Sequence, residues 1–122
     1  MPKKILIVED EELLYDMLKR KLEIEGYEVS IAENGVEGLE KIKKINPDLI
    51  LLDIVMPEKG GFEVMEELQQ EEDYKNIPII IISNSGQPVE IDRAKELGAK
   101  DWLIKTEFDP QEVIEKVKKQ IG

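Results

Sequence analysis

Leu49-Ile50-Leu51-Leu52-Asp53-Ile54-Val55-Met56-Pro57 is the stretch on which the fold of this chain turns. Four large apolar residues in a row, entered through Asn46-Pro47-Asp48 and left through Met56-Pro57, describe a short strand buried on both faces, as strands inside a parallel sheet are. The run ends in a carboxylate. Open α/β sheets bind ligands in the crevice beyond the carboxyl ends of their strands, so Asp53 stands where chemistry is usually done. Taken alone, Asp53 reads equally well as a cap for the loop or the next helix. Three other strand-like runs end in Glu9-Asp10, Ser83 and Lys105, so that one crevice can collect three acids, a hydroxyl and an ammonium.

The flanking segments follow one rhythm. Lys4-Ile5-Leu6-Ile7-Val8 is a buried-strand run that ends at Glu9-Asp10-Glu11-Glu12, and Leu13, Leu14, Met17, Leu18 and Leu22 then recur at helical spacing up to Gly26. Dipole compensation alone accounts for Glu11 and Glu12 in the first turn. Tyr27 to Ala32 alternates like an edge strand with one wetter face, Asn34-Gly35 reads as a turn, and Val36, Leu39, Ile42 and Ile45 mark a second helix. Gly38 inside it should cost about 1 kcal/mol against alanine, which makes this the least secure helix on propensity. After the turn Pro57-Glu58-Lys59-Gly60-Gly61, Phe62, Met65 and Leu68 line a third helix, and Glu71 to Asn76 form a polar loop. Pro78-Ile79-Ile80-Ile81-Ile82-Ser83 is an interior strand, and a fourth helix carries Ile91, Ala94 and Leu97 up to Gly98. Trp102-Leu103-Ile104-Lys105 reads as the last strand. Asp109-Pro110-Gln111-Glu112 offers an N-cap, a proline at the first helical position and an acid at N3 for a closing helix through Val113, Val117 and Ile121. Five strand-helix units with no repeat or linker predict one α/β domain over 1–122, a doubly wound parallel sheet between two helical layers.

Composition narrows the chemistry. A chain of 122 residues with 41% apolar content can bury a core without disulfides or structural zinc. Cysteine and histidine are both absent, which removes thiol chemistry, thiolate metal sites and a histidine nucleophile or base. Any metal must then be held by oxygen, which favours magnesium, manganese or calcium. Net charge is −11, from 28 acids against 17 bases, and such a surface repels nucleic acid and anionic membranes. No apolar stretch approaches a membrane span. The expectation is a cytoplasmic protein that does not bind DNA by itself.

With these residues in place, the chain resembles the receiver domain of two-component response regulators from Lys4 to about Ile121. The resemblance is carried by Glu9-Asp10, by Leu51 to Pro57 followed by Gly61-Phe62, by Ile81-Ile82-Ser83, and by Gly98-Ala99 with Trp102 to Lys105. It implies a flavodoxin-like strand order 2-1-3-4-5. It also implies that Asp53 accepts a phosphoryl group as nucleophile, with Mg2+ bound by Asp10 and Asp53, by Glu9 through water and by the backbone carbonyl of Val55. Lys105 would pair with one phosphoryl oxygen and Ser83 would donate to another. Ser83 and Trp102 would form the switch, and the output face would be the fourth helix, last strand and last helix. The implied partners are a sensor histidine kinase or histidine phosphotransfer protein upstream and another protein downstream. On this reading the chain is a signalling switch, either stand-alone or cut from a longer regulator, and catalyses only its own phosphoryl transfer and slow autodephosphorylation.

Two departures from the family pattern carry expectations. The usual proline after the lysine is Thr106 here, and a cis bond without proline costs roughly 2.5 to 4 kcal/mol, so Lys105-Thr106 is expected to be trans. Asn84 stands where a small residue commonly follows the hydroxyl, and its bulk should hinder water at the acyl phosphate. Rival readings are weaker. An aspartyl-phosphatase-type enzyme resembles this pattern but needs a second acid two positions on, where Val55 cannot transfer a proton. A flavin module would have to use Asn84-Ser85-Gly86 as its phosphate loop and a single tryptophan for stacking; an inert docking scaffold has no need of five site groups.

Overall fold

The computed structural model describes residues 1–122. Strands β1 (Lys4–Val8), β2 (Glu28–Ala32), β3 (Leu49–Asp53), β4 (Ile79–Ser83) and β5 (Ala99–Ile104) alternate with helices α1 (Glu12–Ile24), α2 (Gly35–Ile45), α3 (Gly61–Gln69), α4 (Pro88–Glu96) and α5 (Pro110–Ile121). The five strands form one sheet in the order β2-β1-β3-β4-β5, every pair parallel. This is the doubly wound arrangement and the strand order expected above.

Side chains on a strand point alternately to opposite faces, and here both faces are dry. Ile5, Ile7, Leu49, Leu51, Ile80 and Ile82 pack with Leu18, Leu22, Val113 and Val117 of α1 and α5. Their neighbours Leu6, Val8, Ile50, Leu52 and Ile81 pack with Ile42, Val64, Met65, Leu68 and Ala94 of α2, α3 and α4. All five residues of β3 are buried, which is why that strand reads as an unbroken apolar run. Each large side chain taken fully out of water contributes roughly 1.5 to 3 kcal/mol. No helix is long and apolar enough to cross a membrane.

Several local readings shift in detail. Asn34-Gly35 is not a free turn: Asn34 is the N-cap of α2, its side chain accepting from the Glu37 N–H at 2.9 Å. Gly38 is not a weak point either, because a Cβ there would lie 3.1 and 3.2 Å from the two methyls of Val8, so the glycine lets α2 sit close on the sheet. The least anchored helix is α4, which buries only Ala94. The last strand begins at Ala99, three residues before Trp102, and ends one before Lys105. Lys100 is exposed, so pairing with β4, across an irregular register at Ile79/Ile80, defines this start where apolar pattern does not. The closing helix is capped as expected, with Asp109 accepting from the Gln111 N–H at 2.8 Å and Pro110 in the first turn. The backbone has no cis peptide bond, so Lys105-Thr106 is trans.

Strand order positions the site. From β1 the chain steps outward to β2, then returns across β1 to β3, and the crevice of such a sheet opens at the carboxyl ends of the two strands where that direction reverses. Those ends carry Glu9-Asp10 and Asp53.

Candidate functional site

Asp53 closes β3 with its side chain 95% buried. Its Oδ1 accepts from its neighbour's N–H, Ile54, at 2.8 Å, and its Oδ2 lies 3.1 Å from Lys105 Nζ. The next turn can fold back this closely because Gly61 opens α3: a Cβ at Gly61 would overlap the carbonyl of Asp53. Gly61 N–H also donates to the Ile54 carbonyl at 2.8 Å, which pins the loop against the strand end.

Glu9, directly after β1, is buried as completely as the core. Its Oε2 accepts the Glu11 N–H at 3.0 Å and an N–H of Lys105 at 3.1 Å. Its Oε1 lies 2.9 Å from the same ammonium yet has no directed hydrogen bond. Asp10 is exposed, and it, Glu9 and Asp53 each bring a carboxylate oxygen within 4.8 Å of the others. Lys105, just past β5, reaches across the strand tips, its side chain 6% exposed, to Glu9, Asp53 and also Glu11 at 3.2 Å.

The electrostatics follow from burial. Desolvation raises the Glu9 carboxyl to about 7, against the opposing pull of the Glu11 N–H and Lys105. Desolvation likewise raises Asp53 above the usual aspartate range, with Lys105 opposing. Burial works against the charge of Lys105, but its hydrogen bond to Glu9 and the charge of Asp53 more than offset this, and its pKa is raised. Two acids pushed toward neutrality beside one ammonium form a pocket short of positive charge. An all-oxygen donor set, with one buried Glu9 oxygen lacking a hydrogen bond, fits a hard divalent cation.

Ser83 ends β4 one residue past Ile82, the register partner of Asp53, and is 4% exposed. Its hydroxyl oxygen accepts the Ser85 N–H at 3.2 Å, and no hydrogen bond ties it to the charged cluster. Trp102 lies outside the cluster as well. Half-buried against the layer that holds Ala94, it donates from Nε1 to the Ser85 carbonyl at 2.8 Å. Ser85 therefore links Ser83 to Trp102, and its own hydroxyl donates to Glu90 of α4 at 2.8 Å. Val55 turns its side chain to water, 78% exposed, in the loop after β3. Of the expected site residues, Glu9, Asp10, Asp53 and Lys105 converge, while Ser83 and Trp102 form an adjoining chain. Sequence reasoning missed the contact of Glu11 with Lys105 and the role of Ser85 as a junction. An acid next to Glu9-Asp10 was the available signal for the first; the second had none.

Comparison with known proteins agrees with the fold. The family model described as the response regulator receiver domain matches residues 5–118. The chain is 38% identical over 120 residues to chemotaxis protein CheY of Thermotoga maritima, covering 98% of each. It is 39% identical over 118 residues to the alkaline phosphatase synthesis transcriptional regulatory protein PhoP of Bacillus subtilis, covering 97% of this chain but 48% of that one. The chain thus spans about half the length of that transcriptional regulator and nearly all of the chemotaxis protein. Among solved structures, chemotaxis protein CheY4 of Vibrio cholerae superposes with a TM-score of 0.92 at 30% identity, over 99% of this chain and 100% of that one.

Proposed function

The chain belongs to the response regulator receiver family, and on that premise we propose that Asp53 accepts a phosphoryl group from a phosphohistidine donor and that the change is read at α4, β5 and α5. The observation that carries this is the meeting of Asp53, Glu9 and Asp10 with the buried ammonium of Lys105 at the strand tips. An oxygen of Asp53 bonds to phosphorus as the phosphorus–nitrogen bond to the donor's imidazole breaks, its electron pair staying on that nitrogen. Glu9, Asp10, Asp53 and the Val55 carbonyl would hold Mg2+, Glu9 through water. That ion supplies positive charge against the repulsion between carboxylate and phosphate. Lys105 pairs with a phosphoryl oxygen, and its burial makes that pairing strong. The hydroxyl hydrogen of Ser83 is free to donate to another oxygen, since Ser83 Oγ only accepts from Ser85. If it does, the Ser83-Ser85-Trp102 chain is disturbed at its first member, which gives the switch a physical route to β5 and α4.

Receiver domains work with histidine kinases or phosphotransfer proteins. For this chain the donor is such a protein, the location is the cytoplasm, and the downstream partner is a protein. The test is intact mass after acetyl phosphate with Mg2+, beside Asp53→Asn. One phosphoryl group on the parent and none on the variant supports the reading; an unmodified parent sinks it.

A further inference from the structure

An ammonium carries three N–H donors, and Lys105 has spent all three: on Glu9 Oε2 at 3.1 Å, Asp53 Oδ2 at 3.1 Å and Glu11 Oε1 at 3.2 Å. A phosphoryl oxygen on Asp53 can be paired by Lys105 only if one of these partners gives way. Glu9 is poorly suited to leave, because its side chain is 2% exposed and the same oxygen also holds the Glu11 N–H. Asp53 is the acceptor and stays beside the new group. Glu11 differs from both. Its side chain is 55% exposed, so its carboxylate returns to water at little cost. It occupies the N-cap position of α1 without capping it, and its carboxylate goes to Lys105 instead.

We propose that Glu11 is a positioning residue that acts through Lys105: its carboxylate occupies the third donor of the ammonium in the resting chain and is displaced when a phosphoryl oxygen arrives. The exchange keeps Lys105 fully paired in both states, and it sets part of the barrier to loading. This deepens the phosphoryl-acceptor reading and rests on it. An ion pair exposed on one side is worth no more than about 1 kcal/mol, so releasing Lys105 from Glu11 in advance speeds loading about two- to fivefold.

Two variants separate this exchange from general repulsion of an anionic donor by one more acid. Glu11→Ala removes both charge and reach. Glu11→Asp keeps the charge but shortens the side chain by one methylene, which withdraws it from Lys105. Rates of loading from acetyl phosphate at fixed Mg2+, followed by intact mass, are expected to rise about two- to fivefold in both variants. A rise in Glu11→Ala alone means that the charge acts through space and overturns the proposal, as do rates equal to the parent's in both. A parent that takes up no phosphoryl group overturns the acceptor reading itself, a result distinct from these.

Discussion

Around Asp53 the chain is fixed by contacts that leave no room for compromise, whereas two strands away α4 is held by contacts that do. β3 is buried along its whole length, Glu9, Asp53 and Lys105 are almost without exposure, and backbone meets backbone where Gly61 crosses the strand end. α4 buries Ala94 alone. Its other attachments lie nearer the surface: Arg93 pairs with Glu66 at 3.0 Å and stacks 4.4 Å over the Phe62 ring, Gln69 donates to the Leu97 carbonyl, and Ser85 donates to Glu90. Contacts of that kind contribute on the order of 0.5 to 1 kcal/mol each. A receiver that takes up a phosphoryl group in one place and changes its surface in another, as proposed for this chain, needs both kinds of construction.

Glycine substitutions break this contrast most sharply. In Gly61→Ala the new Cβ runs into the Asp53 carbonyl, a backbone atom with nowhere to go, and the expected loss is about 3 kcal/mol or more. In Gly86→Ala the Cβ meets Ile104 Cδ1 at 2.5 Å, the far end of a side chain that can rotate away, and the expected loss is below about 1 kcal/mol. Urea midpoints of the two variants check this. Equal losses would mean that the β4-α4 loop is as rigid as the strand tip.

A pH titration sharpens the same contrast. Glu9 is raised from its ordinary 4.5 to about 7, so the folded chain keeps a proton there that the unfolded chain has released. A raised carboxyl contributes stability in full below about 4.5 and loses it as pH climbs through about 7. Asp53 shifts in the same direction, while Lys105, raised above an already high value, stays charged throughout this window. Without divalent cations, stability should fall on the order of 2 kcal/mol between about pH 5 and pH 8, and Glu9→Gln should flatten most of that slope. Saturating Mg2+ should oppose the loss, because a cation favours the ionised carboxyl. Denaturant unfolding at the two pH values, with and without the ion, decides it; a slope unchanged in Glu9→Gln would refer the effect to other groups.

What could be read from residues alone divides along the same line. β1, β3 and β4 announce themselves because a strand covered on both faces must be apolar at every position, and the carboxyl-end rule then brings Glu9, Asp10 and Asp53 together. β5 was legible only from Trp102 onward. Its first residues, Ala99, Lys100 and Asp101, belong to an edge strand whose ladder to β4 leaves no mark in apolar pattern. Glu11 read as dipole compensation, and nothing in one-dimensional spacing says that its carboxylate lies 3.2 Å from a lysine 94 residues away. Ser85 read only as part of the loop Asn84-Ser85-Gly86, since its hydrogen bonds to Ser83, Glu90 and Trp102 depend on where β4, β5 and α4 meet in space.

Trp102→Phe tests that junction. The substitution keeps a ring in the apolar layer but removes the hydrogen bond from Nε1 to the Ser85 carbonyl, at an expected cost of about 1 kcal/mol. Because Trp102 is the sole tryptophan, its emission in the parent also reports the junction directly. Loading with acetyl phosphate should shift that emission, and an emission spectrum untouched by complete phosphorylation would remove Trp102 from the switch.

The smallest expected effect falls at Asn84, exposed and adjacent to Ser83 on the loop that carries Ser85. Hydrolysis of an acyl phosphate needs a water in line with the bond to be broken, and on the proposed reading a carboxamide one residue past Ser83 is expected to narrow that approach. Asn84→Ala vacates it without touching the core, since the side chain already lies in solvent. Phosphate loss should accelerate about twofold, a barrier change on the order of 0.4 kcal/mol, with the unfolding midpoint unchanged. Mass-resolved decay of the phosphorylated species measures both chains under the same conditions. A variant that loses phosphate no faster than the parent would show that the Asn84 side chain does not stand in the path of the attacking water.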